Sequence, residues 1–346
     1  MAFRGAVDLV RISGLGSLPE LFEQRAGERA LQKAFEQEGL PVGVIGSPQT
    51  PIPLAAMVGL IERCARHLGD RTFGLDVGQG MPETAYGMWA RYGMSAPTLG
   101  AALRRLCATD WAHRSSSSLD LVWDTDHWLW RNVIPLTDLD VTQHTDHLIP
   151  PMMWLCRLYL GQDWRPAWIE VNYPRTEGAA LLEDRLQIPV RFGRLGTGVV
   201  LAPADLAQER RAGVPGGGGP VTLREVVADV ALSDAPEPAR SLSAVVALRL
   251  LDGNADIDGA ARMAGLSVQG LQRRLRDKGY SYRDIVDVAR RERALALLRE
   301  TELPLMDIAI SLGYEEHANF TRAFRRWMGC SPSEFRRSGE LVRHPD

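Results

Sequence analysis

The strongest constraint on what this chain can fold into is a helical pattern that occurs twice near its C-terminus. Residues 258–276 read DGAARMAGLSVQGLQRRLR and residues 307–327 read DIAISLGYEEHANFTRAFRRW. Each begins with small or branched apolar residues: Ala260, Ala261 and Ala264 in one, Ile308, Ala309 and Leu312 in the other. Each then meets a glycine, Gly265 or Gly313, where a left-handed helix end costs little. Leu266 and Tyr314 are placed to pack back onto the helix just ended. Ser267 is a good N-cap for the segment that follows it. The second segments carry inner pairs at i, i+4, Leu271 with Leu275 and Phe320 with Phe324, and leave basic and polar residues outside. A short helix, a glycine turn and a basic second helix make a helix-turn-helix, a unit that lays its second helix in the major groove of DNA. The anchors Leu271 and Phe320 are 49 residues apart.

Between the two units, Tyr282–Arg299 predicts an 18-residue helix with Ser281 as its N-cap. At 1.5 Å per residue it spans about 27 Å. That is near the ~34 Å between successive major grooves on one face of B-DNA. Ser331-Pro332-Ser333-Glu334 predicts the last helix start, with Ser331 as N-cap, Pro332 at N1 and Glu334 closing a capping box.

Charge divides the chain the same way. Residues 240–346 hold 18 Lys and Arg against 15 Asp and Glu, whereas residues 1–239 hold 22 against 28. The basic part is the candidate for a polyanionic partner. A length of 346 residues suits two domains. The break falls at Gly213-Val214-Pro215-Gly216-Gly217-Gly218-Gly219-Pro220, with a second loose stretch at Ser233–Pro238 and a helix expected at Val221–Leu232. The expected division is residues 1–212, a Gly/Pro-rich linker at 213–240, and an all-α domain at 241–340. A slack tether transmits orientation poorly, so the two parts are expected to unfold separately.

The front part mixes periods. Helices are predicted at Leu18–Glu38 with a break at Gly27, at Leu54–Leu68, at Thr98–Cys107 and at about Thr142–Leu160. Alternation through Leu119, Leu121 and Trp123, and then Trp128, Trp130 and Asn132, predicts a hairpin turning at Asp124–His127. Trp168–Val171 and Val199–Leu201 are short strand candidates. Helices with an antiparallel sheet make this an α+β domain.

The back part resembles the AraC/XylS family of bacterial transcription regulators over about Leu242–Arg337. The most specific run is Ile308-Ala309, Leu312-Gly313-Tyr314, Asn319-Phe320-Thr321-Arg322-Ala323-Phe324-Arg325-Arg326-Trp327, Gly329 and Ser331-Pro332-Ser333-Glu334-Phe335-Arg336, supported by Leu271-Gln272-Arg273-Arg274-Leu275. The resemblance places base-reading positions on Gln269, Gln272 and Arg273 in the first unit and on His317, Asn319 and Arg322 in the second. Arg276, Thr321 and Arg325 join them on the DNA-facing side. For Arg273 and Arg322, base contact and phosphate contact stay open. Gly270 falls mid-helix and weakens that helix by about 1 kcal/mol, or permits close backbone approach. The front part resembles the arabinose-binding-like domain of one subgroup, through Ile52-Pro53-Leu54, Gly69-Asp70-Arg71-Thr72-Phe73-Gly74-Leu75, Ala96-Pro97-Thr98-Leu99-Gly100-Ala101-Ala102-Leu103-Arg104 and Trp164-Arg165-Pro166. The resemblance implies a DNA-binding regulator and not an enzyme. Its partners would be double-stranded DNA, RNA polymerase if it activates, a small-molecule effector, and a second copy through the front part. A front part that only dimerises, or an enzyme fused to a DNA-targeting tail, are the rival readings.

No nucleophile or acid–base cluster stands out in residues 1–212, and no cofactor is expected. His144 and His147 stand i, i+3 on a helix start, but no third metal ligand is identifiable and Asp146 faces elsewhere. Capping and surface roles are expected for them instead. Trp111, Trp123, Trp128, Trp130, Trp154, Trp164 and Trp168 are dense enough to line a pocket, though plain core is the commoner fate of any one. Gly216–Gly219 lacks the Lys-Ser/Thr of a phosphate loop, and Ser115–Ser118 lacks a nucleophile-elbow setting. Cys64, Cys107, Cys156 and Cys330 form no CxxC, which excludes a zinc ribbon and a dithiol centre and fits a reducing cytoplasm. Neither a signal peptide nor a membrane span is expected. The effector-binding residues are not identifiable from the sequence.

Overall fold

A computed structural model of the chain describes residues 7–343 apart from Gln49, 83–84, 111–117, Pro135, Thr137, 176–177, 212–220, 223–238 and Gly329. The glycine run, Trp111 and most of the helix expected at Val221–Leu232 therefore lie outside the described residues.

The front half is α+β. Strand β1 (Leu9–Arg11) pairs antiparallel with β2 (Pro51–Pro53), Val10 facing Ile52. Helices α1 (Leu18–Ala26) and α2 (Glu28–Gln37) divide at Gly27 as expected, and α3 (Leu54–Leu68) matches its predicted span. Their apolar stripes meet in one cluster around Leu18, Phe22, Phe35, Met57, Leu60 and Ile61, all essentially solvent-free. Each such side chain contributes about 1.5–3 kcal/mol by leaving water. Helices α4 (Phe73–Gln79), α5 (Gly87–Met94) and α6 (Leu99–Ala108) follow, with Thr98 capping α6 through the Ala101 N–H. The predicted hairpin is β3 (Ser118–Asp124) and β4 (His127–Val133), Asp124 opposite His127. Helix α7 spans Thr142–Leu160. Then come β5 (Ile169–Glu170), α8 (Ala179–Leu186), β6 (Val190–Arg191) and β7 (Thr197–Leu201). The five-stranded sheet runs β3-β4-β7-β5-β6, and its β5–β6 pair alone is parallel.

Helix α7 contains Pro150 and Pro151, which remove two backbone donors from its ladder. Helix α4 lies close against it. A Cβ on Gly74 would come within 2.1 Å of the Gln143 carbonyl oxygen, and one on Gly78 within 2.3 Å of that of His147. Glycine at both positions is what lets the backbones approach.

The back half is helical: α9 (Ala239–Arg249), α10 (Ile257–Met263), α11 (Val268–Arg276), α12 (Tyr282–Glu300), α13 (Leu305–Ser311), α14 (His317–Met328) and α15 (Pro332–Arg343). It holds two cores. Leu242, Val246, Ala261, Leu271 and Leu275 form the first with Ile285, Val286 and Ala289 of α12. Ala294 and Leu298 of the same helix join Ile308, Leu312, Phe320 and Phe324 in the second.

The halves touch directly, which corrects the expectation of a slack tether alone. Leu248 of α9 belongs to the front cluster. Val7 and Leu9 pack with Val245 and Ala260, and the Val7 N–H donates to Ser241 Oγ at 3.2 Å. The apolar residues at the chain's start give no periodic signal, so this contact was invisible in the sequence.

Candidate nucleic-acid interface

The two turns are built alike, bond for bond. Gly265 (φ 63°) donates to the Arg262 carbonyl, and the Leu266 N–H reaches back to Ala261. Gly313 (φ 72°) donates to the Ile310 carbonyl, and the Tyr314 N–H reaches back to Ala309. These are paired C-terminal bonds that satisfy the orphan carbonyls of α10 and α13. The glycines stand 48 residues apart and the anchors 49, so the second turn carries one more residue before its helix. Leu271, Leu275, Phe320 and Phe324 are all fully buried, as their spacing predicts.

Among the described residues, four helices of the back half start on a side-chain cap, whereas α13, which follows Pro304, has none. Asp256 Oδ1 accepts the Gly259 N–H at 2.7 Å, and that bond, first among its causes, holds its carboxyl below the usual range. Ser267 Oγ accepts from Gly270 at 3.1 Å. Ser281 with Asp284, and Ser331 with Glu334, each form a reciprocal capping box.

Burial of the inner pair turns the remaining side chains outward. On α11, Gln269, Gln272, Arg273 and Arg276 are exposed. On α14, Arg322 and Arg325 are exposed, while His317, Asn319 and Thr321 are half-buried at the rim. His317 packs edge-on to Phe320, and Arg322 donates from Nη2 to Asn319 Oδ1. Arg326 points the other way and binds Asp287 of α12 at 2.7 Å, a structural tie. Gly270 is the third residue of α11 rather than its middle, and a Cβ there would meet only Ser267 Oγ, at 3.1 Å. Among the described residues, nothing therefore requires a glycine at that position.

Two of the front half's cavities carry buried carboxyl or imidazole groups in their walls. One, of about 500 Å³, is lined by Glu62, Arg66, Asp70, Asp140, Asp146 and Tyr173 among others. Its deepest carboxylates already have donors: Glu62 accepts the Gln143 N–H at 2.6 Å and Asp146 the Tyr173 hydroxyl at 2.6 Å. Burial pushes both up to about 7. The other, of about 90 Å³, is mostly apolar, with Trp89, Trp130 and Trp154 in its wall beside His144 and His147.

The two histidines correct the surface roles expected of them. They are 3% and 1% exposed, in the heart of the fold. Burial pushes His147 down to about 4, the Gly14 carbonyl opposing, so its ring is neutral near pH 7. Among the described residues no group of three or more metal-ligating side chains exists. Nor is any described helix long and apolar enough to cross a membrane. Of the tryptophans, Trp130 is 4% exposed and Trp123 48%, although the register puts both on one face of the hairpin; Trp123 lies nearer its turn.

Comparison with known proteins agrees with this geometry. Residues 29–209 match the family described as the arabinose-binding domain of AraC transcription regulators, N-terminal. Residues 260–338 match a helix-turn-helix domain family. The HTH-type transcriptional regulator VirS of Mycobacterium tuberculosis is 26% identical over 342 residues, 97% of this chain and 95% of its own. The HTH-type transcriptional regulator VqsM of Pseudomonas aeruginosa is 49% identical over 78 residues, 22% of this chain, so about a quarter (24%) of VqsM is matched. The crystal structure of the transcriptional regulator CdpR from Pseudomonas aeruginosa is 20% identical, covering 91% of this chain and 98% of its own, with a TM-score of 0.40.

Proposed function

The chain belongs to the AraC family of transcription regulators, and from that premise we propose that it reads duplex DNA through the outer faces of α11 and α14. In this reading Gln269, Gln272, Arg273 and Arg276 enter one major groove, and His317, Asn319, Thr321, Arg322 and Arg325 enter the next. The observation that carries it is the pair of matched turns, each presenting an exposed basic face over a fully buried apolar pair. Residues 241–340 act as the DNA-binding domain. Residues 1–212 act as the sensing and dimerising domain, responsive to a small molecule, and 213–240 link the two. RNA polymerase is the further partner if the outcome is activation.

The test is Arg273→Ala and Arg322→Ala in the full chain, titrated onto its own promoter fragment and onto random DNA. A lost bidentate base contact costs about 1–3 kcal/mol on the specific site and relaxes one base position. Wild-type affinity falls steeply with salt as counterions are released from phosphates. Equal losses on both DNAs reassign the arginine to phosphate. Salt-independent binding by the wild-type chain refutes the reading itself.

A further inference from the structure

The small cavity of the front half differs from the large one in having buried donors and acceptors with nothing to bind. Trp130 is 4% exposed, and its indole Nε1 has no hydrogen-bond partner. His147 is 1% exposed, and although the Gly14 carbonyl lies toward its ring, neither ring nitrogen meets a partner in good hydrogen-bond geometry. Both line the cavity. Native folds rarely leave buried polar groups unmet. The rest of the wall is mostly apolar, with Val10, Leu54, Met57, Leu119 and Met152 in it beside the polar Asn132, His144 and Tyr86, and it holds no Asp, Glu, Lys or Arg.

We propose that this cavity is a ligand site for a small uncharged molecule, one ring or short branched chain in size, carrying a single group that both accepts and donates a hydrogen bond. The indole N–H is a donor only, and a neutral imidazole offers one donor and one acceptor. A hydroxyl or a primary amide complements that set. A carboxylate or an ammonium does not, because no opposite charge in the wall offsets its loss of hydration. The volume of about 90 Å³ is roughly three times the ~30 Å³ that one water occupies in the liquid. A dry cavity of about 150 Å³ holds benzene, so a ring enters only as the wall gives, and a sugar chain or a long lipid is excluded.

The position of the site gives it a route to the DNA-binding half. Val10 and Gly14 line it. Val10 lies in β1, and its neighbour Leu9, together with Val7, packs on Val245 and Ala260 of α9 and α10. Successive strand residues face opposite ways, so one strand touches the ligand on one side and the first helix-turn-helix on the other.

This inference rests on the reading that the front half senses an effector, and its test separates the two. The probes are phenol, benzene and benzoate at neutral pH, titrated into the full chain labelled with [15N]tryptophan. The Trp130 indole signal is assigned by Trp130→Phe. Phenol shifts that signal saturably, benzene binds about tenfold more weakly for want of one hydrogen bond, and benzoate does not bind. In Trp130→Phe, phenol falls to the affinity of benzene. Should that variant not fold, the three wild-type titrations decide. A Trp130 signal unmoved by phenol at tens of millimolar overturns the site, as does benzoate binding as tightly as phenol or benzene matching phenol. A screened effector that moves other signals but not this one overturns the cavity and leaves effector sensing standing.

Discussion

Arg290, at the middle of α12, donates from Nε to the Leu312 carbonyl at 2.8 Å and so ties the bridging helix to the turn of the second helix-turn-helix. Its Nη2 also donates to Gly313 O at 3.1 Å, and its guanidinium lies 4.4 Å from the Tyr314 ring centre. Helix α12 thus fixes both units: through Ile285, Val286 and Ala289 on one side, and through Arg290, Ala294 and Leu298 on the other.

Replacing Arg290 with Ala removes two hydrogen bonds and a stacked cation while leaving two carbonyls short of a partner. The expected loss is about 2–3 kcal/mol. Urea unfolding of the full chain, followed by fluorescence, checks it. Because the second unit loosens, affinity for a two-block site falls further than affinity for the first block alone.

The two turn glycines look equivalent in sequence and are not. Both have positive φ, so alanine costs about 1–2 kcal/mol in backbone strain at either. At Gly265 a Cβ meets nothing within 4 Å, so strain is the whole cost. At Gly313 it falls 2.5 Å from the Gly253 carbonyl oxygen, and backbone must move. Gly313→Ala should destabilise by more than Gly265→Ala in the same unfolding assay. Equal losses would refute the packing of α13 against the Gly253 turn.

Stability of the front half should rise as pH falls from about 8 to 6.5. Burial pushes Glu62 and Asp146 up to about 7, with the Gln143 N–H and the Tyr173 hydroxyl respectively opposing, and Asp140 and Asp146 adding to the rise of Glu62. Unfolded carboxyls take up protons only near pH 4. Between those values the folded state binds more protons, so lowering the pH favours it. His147 works the other way: held down to about 4, it favours the unfolded state below roughly pH 6.5, where a free imidazole charges. The gain therefore flattens below about 6.5. Calorimetric Tm against pH reads this directly, and Asp146→Asn should reduce the rise. A lower Tm at 6.5 than at 8 would contradict it.

Local pattern carried most of the elements. Leu54–Leu68 and Thr142–Leu160 were legible because their periodicity is long. The two turns were legible because Gly265 and Gly313 sit where only glycine is comfortable. What escaped was set by tertiary contact. His144 and His147 read as surface residues because a helix start usually is one, and the glycines of α4 that cover this helix lie some 70 residues upstream. Leu9 and Leu248 gave no sign of crossing between halves, since each is one apolar residue in a short segment. The cavity around Trp130 was hidden for the same reason: a density of tryptophans does not say which ring keeps its N–H unmet.

In the proposed reading, α12 holds two recognition helices as one rigid reader. Its 19 residues span about 28 Å, so one chain should read two blocks about 10 bp apart on one DNA face. Inserting five base pairs between the blocks turns the second to the opposite face. Quantitative footprinting on that series, with gaps of 0, 5 and 10 added base pairs, measures it. Specific affinity at +5 should fall to that of a single block, and the gap between the sites of two chains should tolerate more variation. Undiminished affinity at +5, with both blocks still protected by one chain, would contradict it.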